Sequence, residues 1–296
     1  MQKLTRREFV NTSVLGAGAL AYTAAYADEP AKTISPTEER ELGKTGIQVT
    51  RLAMGTGMRG YQRSSAQTRQ GQTKFTELML HGVDQGIRFF DMADLYGSHP
   101  FIKNALKEIP RNQYVLLTKI WFRDGLENNN ITHALPNIDR YRKELDTDVI
   151  DIALVHCVTS ARWLDELKVM RDEMSELKEK GVIRAVGCSC HSLESLEAAV
   201  ESPWVDVIMA RINNKQQKMD ADPLTIANLL KTARKNGKGI VGMKIYGEGT
   251  LVEEEQRYES LKFVIENDLV DAMTIGYEQP SHVDDTLKHV KMIVNA

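Results

Sequence analysis

The sequence predicts an α/β fold, a single (β/α)8 TIM barrel entered through a short N-terminal β-hairpin. Three observations predict it. Short apolar runs alternate with longer amphipathic ones along most of the chain, as expected for strands buried on both faces and the helices that cover them. The alternation gives eight strand–helix units in roughly 250 residues, the usual size of a closed eight-stranded barrel. Reactive polar residues fall at the C-terminal ends of successive apolar runs, where a parallel barrel gathers its functional side chains. A doubly wound sheet would also alternate, but normally with about five to seven strands.

The first 27 residues stand apart. A basic start with Arg6-Arg7 before Glu8-Phe9 leads into the mildly apolar VLGAGALAYTAA, and Ala25-Tyr26-Ala27 precedes Asp28-Glu29-Pro30. Basic start, short apolar middle and small-x-small end make a secretory signal peptide. The arginine pair followed by an aromatic resembles the twin-arginine export signal. Cleavage is expected after Ala27, leaving 28–296 as the mature domain, with the twin-arginine export machinery as a partner and a periplasmic destination. No stable membrane anchor is expected, because spanning a bilayer takes about twenty strongly apolar residues.

The mature chain opens on RELGKTGIQVT, a hairpin turning at Gly43-Lys44-Thr45-Gly46. Strand candidates follow at 51–57, 87–93, 114–120, 149–157, 183–190, 206–212, 239–245 and 271–277. Between them, WLDELKVMRDEMSELKEKG places Leu164, Leu167, Met170, Met174 and Leu177 at helical steps before a glycine stop. TIANLLKTARKNG, QRYESLKFVIEND and the closing VDDTLKHVKMIVN repeat that pattern. The polar loop at about 58–71 falls on the functional rim, as a lid or a substrate wall. A net charge of −3 and a pI near 6.2 give no electrostatic footprint for nucleic acid. Three cysteines in 296 residues make no disulfide framework.

Four residues carry the chemistry. Asp91 and Tyr96 lie in FDMADLYG, Lys119 ends YVLLTKI and His156 ends DIALVH. Singly, each has an ordinary reading: a turn former, a rim aromatic, a partnered lysine, a satisfied core histidine. Together they make a proton-transfer site. A phenol titrates near 10, too high for efficient acid–base work at neutral pH. A neighbouring ammonium lowers that value, an ionised carboxylate holds the ammonium, and an imidazole orients a carbonyl oxygen.

This sequence of FDMADLYG, then a strand-ending lysine, then a strand-ending histidine, resembles the aldo-keto reductase family, and the resemblance spans essentially the whole mature chain. It implies Tyr96 as proton donor, Lys119 and Asp91 as the pair that tunes it, and His156 as the group that orients the carbonyl. It also implies an NAD(P)-dependent oxidoreductase, with NADP or NAD as cofactor and a small-molecule carbonyl or alcohol as substrate. Carried over residue by residue, the cofactor side of the family pattern falls on Ser189 and Cys190 after the fifth strand, with Cys190 where an asparagine is usual. Arg211 ends the sixth strand, where a glutamine is usual, and Asn214 stands at the position of the usual stacking aromatic. Lys244, Gly247 and Gly249 form the loop that would lie against a pyrophosphate. Tyr277, His282 and Asp285 follow the eighth strand, where NADPH-preferring members carry cations for the 2′-phosphate. The loss of those cations weakens the case for NADPH.

Two other readings compete. His156, Cys157, Cys188, Cys190 and His191 crowd the fourth and fifth strand ends, and thiolate with imidazole suits zinc or iron. Strand alternation sends Cys188 and Cys190 one way and His191 the other, so no metal site is expected. Cys157 and Cys190 also sit at adjacent strand ends, where a disulfide depends on their separation. The second alternative is a non-catalytic or cofactor-deficient exported binding barrel, since fold does not fix function.

Overall fold

The computed structural model of the chain describes residues 33–126 and 130–296. The expected signal and its cleavage point at Ala27 lie outside the described residues. The hairpin pairs β1 (Glu39–Glu41) with β2 (Gln48–Thr50), and Arg40 stands opposite Val49. Eight parallel strands then close the barrel: β3 (Leu52–Gly55), β4 (Phe89–Asp91), β5 (Val115–Ile120), β6 (Ile150–Val158), β7 (Ile183–Cys190), β8 (Val207–Arg211), β9 (Gly239–Met243) and β10 (Ala272–Gly276), with β10 returning to β3. Each lies inside the run that the sequence marks as apolar, save that β6 runs one residue further, to Val158.

The pleat sorts side chains into two apolar layers. Phe89, Leu117, Leu154, Ala185, Met209 and Val241 fill the barrel interior, while Phe90, Leu116, Val155, Val186, Ile208 and Ile240 face the helices. The hairpin is the floor of the interior layer, with Leu42 and Ile47 fully buried there. Its turn sits on the start of β9. A side chain at Gly43 would stand 2.3 Å from the Gly239 amide nitrogen, and the backbone there is left-handed, so glycine is required.

Above the floor, three carboxylates repeat one motif. Asp151 accepts from the amide of Leu116, Asp206 from that of Val186 and Asp271 from that of Ile240, at 2.9, 2.9 and 2.8 Å. Arg111 and Arg184 pair with the first, Lys178 with the second and Arg234 with the third. Each joins an even-numbered strand to the odd-numbered one before it.

The helix read over 163–181 is in fact two, Trp163–Glu166 and Lys168–Glu179, broken at Leu167 (φ −108°, ψ 27°). The carbonyl of Leu164 is satisfied across the break by Arg171 Nε at 2.6 Å. The other three helical readings hold, over Pro223–Lys235, Glu254–Glu266 and Pro280–Val294. Among the described residues no helix is long and apolar enough to cross a membrane.

Candidate active site

The four strand-end residues meet at the C-terminal mouth of the barrel. Asp91 and Lys119 share the inward parity of Phe89 and Leu117, so the pleat aims both into the barrel. They are 5% and 1% exposed, and a lysine so deep needs a partner. Lys119 Nζ donates to Asp91 Oδ1 and, at 2.8 Å, to the carbonyl of Met92. The other carboxylate oxygen accepts from Thr274 Oγ1 at 2.8 Å. Burial pulls the Lys119 ammonium down in pKa and Asp91 opposes it.

Tyr96 hangs from the short turn Asp94–Tyr96, and its hydroxyl lies 3.4 Å from His156 Nε2. The expected lowering of its pKa by Lys119 is not what the geometry gives. Burial, reinforced by the Asp91 carboxylate, pushes the phenol well above its ordinary 10. The ammonium lies over the ring face, 4.9 Å from its centroid, and Asp91 already neutralises it. Tyr96 is therefore held as the protonated acid. Burial, with help from Lys119, His191 and Arg123, pushes the His156 imidazole well below 6.5, so it is neutral. Its Nδ1 is buried without a hydrogen-bond partner. An orphaned lone pair costs less than an orphaned N–H, which assigns the proton to Nε2, facing the phenol.

The pleat aims His156 inward with Leu154, and a bulge follows it. Val155 and Val158 of β6 pair with Cys188 and Cys190 of β7, so β6 carries one extra residue. Cys157 lies in that extra stretch in a left-handed conformation, φ +59°. Its amide donates to Ser189 Oγ at 2.8 Å, and its sulfur lies 3.4 Å from His191 Nε2. The two sulfurs of Cys188 and Cys190 are 3.6 Å apart, and all three cysteines are free thiols. Among the described residues no three His, Cys, Asp or Glu side chains converge on a point that would hold a metal.

A cleft of about 700 Å³ runs from Asp91 and Tyr96 past β9 and β10 to His282 and Asp285. Lys244, Gly249 and Tyr277 also line it. Gly249 is left-handed at φ +87°, and nothing stands within 4 Å of where a side chain would project, so its backbone is bare to the cleft. Lys244 forms an ion pair with Glu248 at 3.0 Å. The other residues assigned to the cofactor are placed differently. Cys190 faces the helix layer, its sulfur 3.8 Å from the carbonyl of Ser195, because the pleat sends it outward. Ser189 faces inward, and its Oγ accepts from the Cys157 amide while its own proton stays available. Arg211 is clamped to Asp220, with Nε 3.0 Å from Oδ2. Gly247 packs on its own loop, where a Cβ would meet Thr250 Oγ1 at 2.3 Å.

Sequence reasoning missed three contributors. Gly57 and Gly60 lie flat against the Tyr96 ring, and a Cβ on either would stand 2.4 and 2.5 Å from ring atoms. Their signal is the Gly-x-Gly-x-x-Gly spacing of Gly55, Gly57 and Gly60. No helix follows it, so it cradles a phenol rather than opening a dinucleotide-binding turn. Arg257 lines the cleft and lies 3.8 Å from Asp285. On a helix rich in charge it carries no sequence signal. The loop 58–71 is a wall: Gln67 Nε2 donates to the Gly55 carbonyl at 3.0 Å, while Met58 and Arg59 face the cleft.

A closed parallel barrel with a protonated phenol, a neutral imidazole and a buried ammonium–carboxylate pair at its mouth is the build of an oxidoreductase that acts on carbonyls. The aldo/keto reductase family model matches residues 51–292, and the chain belongs to that family. It is 26% identical over 241 residues to aldo-keto reductase YhdN of Bacillus subtilis, covering 76% of this chain and 70% of that one. Over 128 residues it is 27% identical to methylglyoxal reductase DkgB of Salmonella typhi, covering 43% of this chain and 46% of that enzyme. The solved holo form of an aldo-keto reductase from Bacillus halodurans superposes with a TM-score of 0.68 at 20% identity, covering 86% of this chain and 91% of that one.

Proposed function

We propose that this chain reduces an aldehyde or ketone, with Tyr96 supplying the proton. The observation that carries the reading is the pairing of a phenol held protonated with an imidazole Nε2 at 3.4 Å. A carbonyl oxygen set between them takes a hydrogen bond from His156 and a proton from Tyr96. Lys119, held in place by Asp91, covers the Tyr96 ring face. A nicotinamide cofactor, when bound, supplies hydride to the carbonyl carbon.

The cleft fits such a cofactor. At about 700 Å³ it includes Tyr96 and Asp91 in its lining and extends to His282 and Asp285. Gly249 offers bare backbone beside Lys244 and Arg257 where two phosphates would need them, and Tyr277, His282 and Asp285 line the far end. Glu278 and Asp285 line the cleft, and the lining cation Arg257 already stands beside Asp285. A 2′-phosphate would meet repulsion there, which favours NADH over NADPH. At the near end Cys190 is turned away and Arg211 is taken by Asp220. That observation favours the alternative, a barrel that has lost its cofactor.

Fluorescence titration with NADH and NADPH separates the two. Micromolar binding, tighter for NADH, is expected, together with Tyr96→Phe binding nucleotide like the parent while losing nearly all turnover. No binding of either nucleotide would sink the reductase reading. We also propose that residues 1–27 direct export of the folded barrel, on the strength of Arg6-Arg7 and the small-x-small end. Cell fractionation of an Arg6→Lys, Arg7→Lys variant tests this, with retention inside the cell expected.

A further inference from the structure

We propose that the carbonyl substrate bears a carboxylate, held by Arg123 at the rim beside His156. This rests on the reductase reading and names the class of compound that the site takes. Trp121, Phe122 and Arg123 leave β5 just beyond Lys119. The Trp121 ring stands edge-on to His156, centroids 5.6 Å apart. The Arg123 guanidinium carbon lies 4.6 Å from the Phe122 ring centroid and 5.4 Å from that of Trp121. One of its nitrogens donates to the carbonyl of Cys157 at 2.8 Å and to Thr159 Oγ1 at 3.2 Å. Both anchors adjoin His156: Cys157 follows it in the chain and Trp121 packs on its ring. The guanidinium is thus fixed by aromatic faces and neutral oxygens, next to the group that orients the carbonyl.

Charge then decides what it is for. Lys119, Arg123, Lys244 and Arg211 all act on the Cys157 thiol, easing the rise that burial causes, so four cations lie about that sulfur. Three are answered locally: Lys119 by Asp91, Lys244 by Glu248 and Arg211 by Asp220. Among the described residues Arg123 has no carboxylate within ion-pair distance; its partners are two neutral oxygens, and the adjacent Asp124 is exposed. A pre-positioned guanidinium with unspent donors is the usual receptor for a carboxylate, and Trp121 with Phe122 offers a flat wall for the carbon skeleton between the two ends. In the reaction the carbonyl carbon gains hydride, with reduced nicotinamide as the electron source. The carbonyl oxygen takes the Tyr96 proton and the carboxylate leaves unchanged.

The test compares 4-carboxybenzaldehyde with its neutral methyl ester as substrates, in the parent, Arg123→Gln and Arg123→Lys. A kcat/KM at least about tenfold higher for the acid is expected, lost mainly through KM in Arg123→Gln and only partly restored in Arg123→Lys, which keeps the charge but not the stacked fork. Arg123→Gln should cost the acid at least about tenfold more than the ester. Equal turnover of acid and ester, or equal loss of both in Arg123→Gln, overturns the proposal. A binding readout stands apart from turnover: benzoate should quench tryptophan fluorescence in the parent, benzamide should not, and salt or Arg123→Gln should weaken the quench. If neither aldehyde is reduced but benzoate binding depends on Arg123, the anion site stands and the reductase reading fails. Absence of both turnover and quench removes both.

Discussion

The proton donor of this barrel is positioned by what is missing around it. Gly57 and Gly60 leave room for the Tyr96 ring, and Lys119 covers its face. Gly57→Ala would drive a methyl group to within 2.4 Å of the ring. The phenol must shift, and displacement by an ångström at a reacting group costs about a hundredfold in rate. We expect that loss in kcat/KM with nucleotide affinity little changed, read by steady-state kinetics beside a titration. The pH profile follows from the same residue. Reduction needs the phenol protonated, so with its pKa raised above 10 the carbonyl-reducing rate should stay flat through neutral and mildly alkaline pH, falling only when the phenol finally ionises. Alcohol oxidation needs the phenolate and should rise over the same range; a reduction rate that declines from pH 7 to 9 would contradict the assignment. These four residues were legible because each closes an apolar run or, for Tyr96, stands in the turn just past one. Which way Cys190 faces, and that Arg211 is taken by Asp220, depends on pleat phase and on a partner nine positions along the chain, neither of which residue type reveals.

At the scale of elements, helix Leu135–Leu145 governs the turn that carries Tyr96. Its Arg140 grips buried Asp94 with both nitrogens, at 2.8 and 2.7 Å. Its Glu144 takes Arg63 from the rim loop at 2.6 Å and His99 at 2.9 Å. His99 in turn reaches Thr118, beside Lys119, at 2.7 Å. One helix thereby ties the rim loop, the Tyr96 turn and the Lys119 strand together. Burial pushes the Glu144 carboxyl up, but hydrogen bonds from His99 and Arg63 outweigh it and bring it from an ordinary 4.5 down to about 2. A folded value below the unfolded one contributes stability in full above pH 4.5 and loses it as the pH falls toward 2. Urea unfolding between those limits should show a steeper acid loss for the parent than for Glu144→Gln. Helix periodicity was legible in outline here; the break at Leu167 was not, because Arg171 satisfies the freed carbonyl through a contact that leaves the apolar spacing intact.

For the whole molecule, the eight-unit count carried the architecture, since repeated alternation over a barrel's length admits few other closures. The staples above the floor were invisible, because Asp151, Asp206 and Asp271 look in sequence like ordinary carboxylates at strand starts. Their geometry predicts a division of labour between the two ends of the barrel. Asp151→Ala leaves the Leu116 amide without its acceptor and two arginines without their carboxylate. The buried amide alone costs about 1–3 kcal/mol, while both arginines can turn to water. Denaturant melts should show that loss, with nucleotide affinity and turnover at the opposite end unchanged.

The three carboxylates above the floor have a consequence for descent. Each staples a pair of neighbouring strands by itself, so three of the eight pairings are held from the bottom of the barrel rather than negotiated at its mouth. Loops at the rim can drift, lengthen or trade residues without releasing those pairs beneath them. A lineage built on such a base is free to change what it reduces, or to stop reducing altogether, and still pass on a barrel that folds.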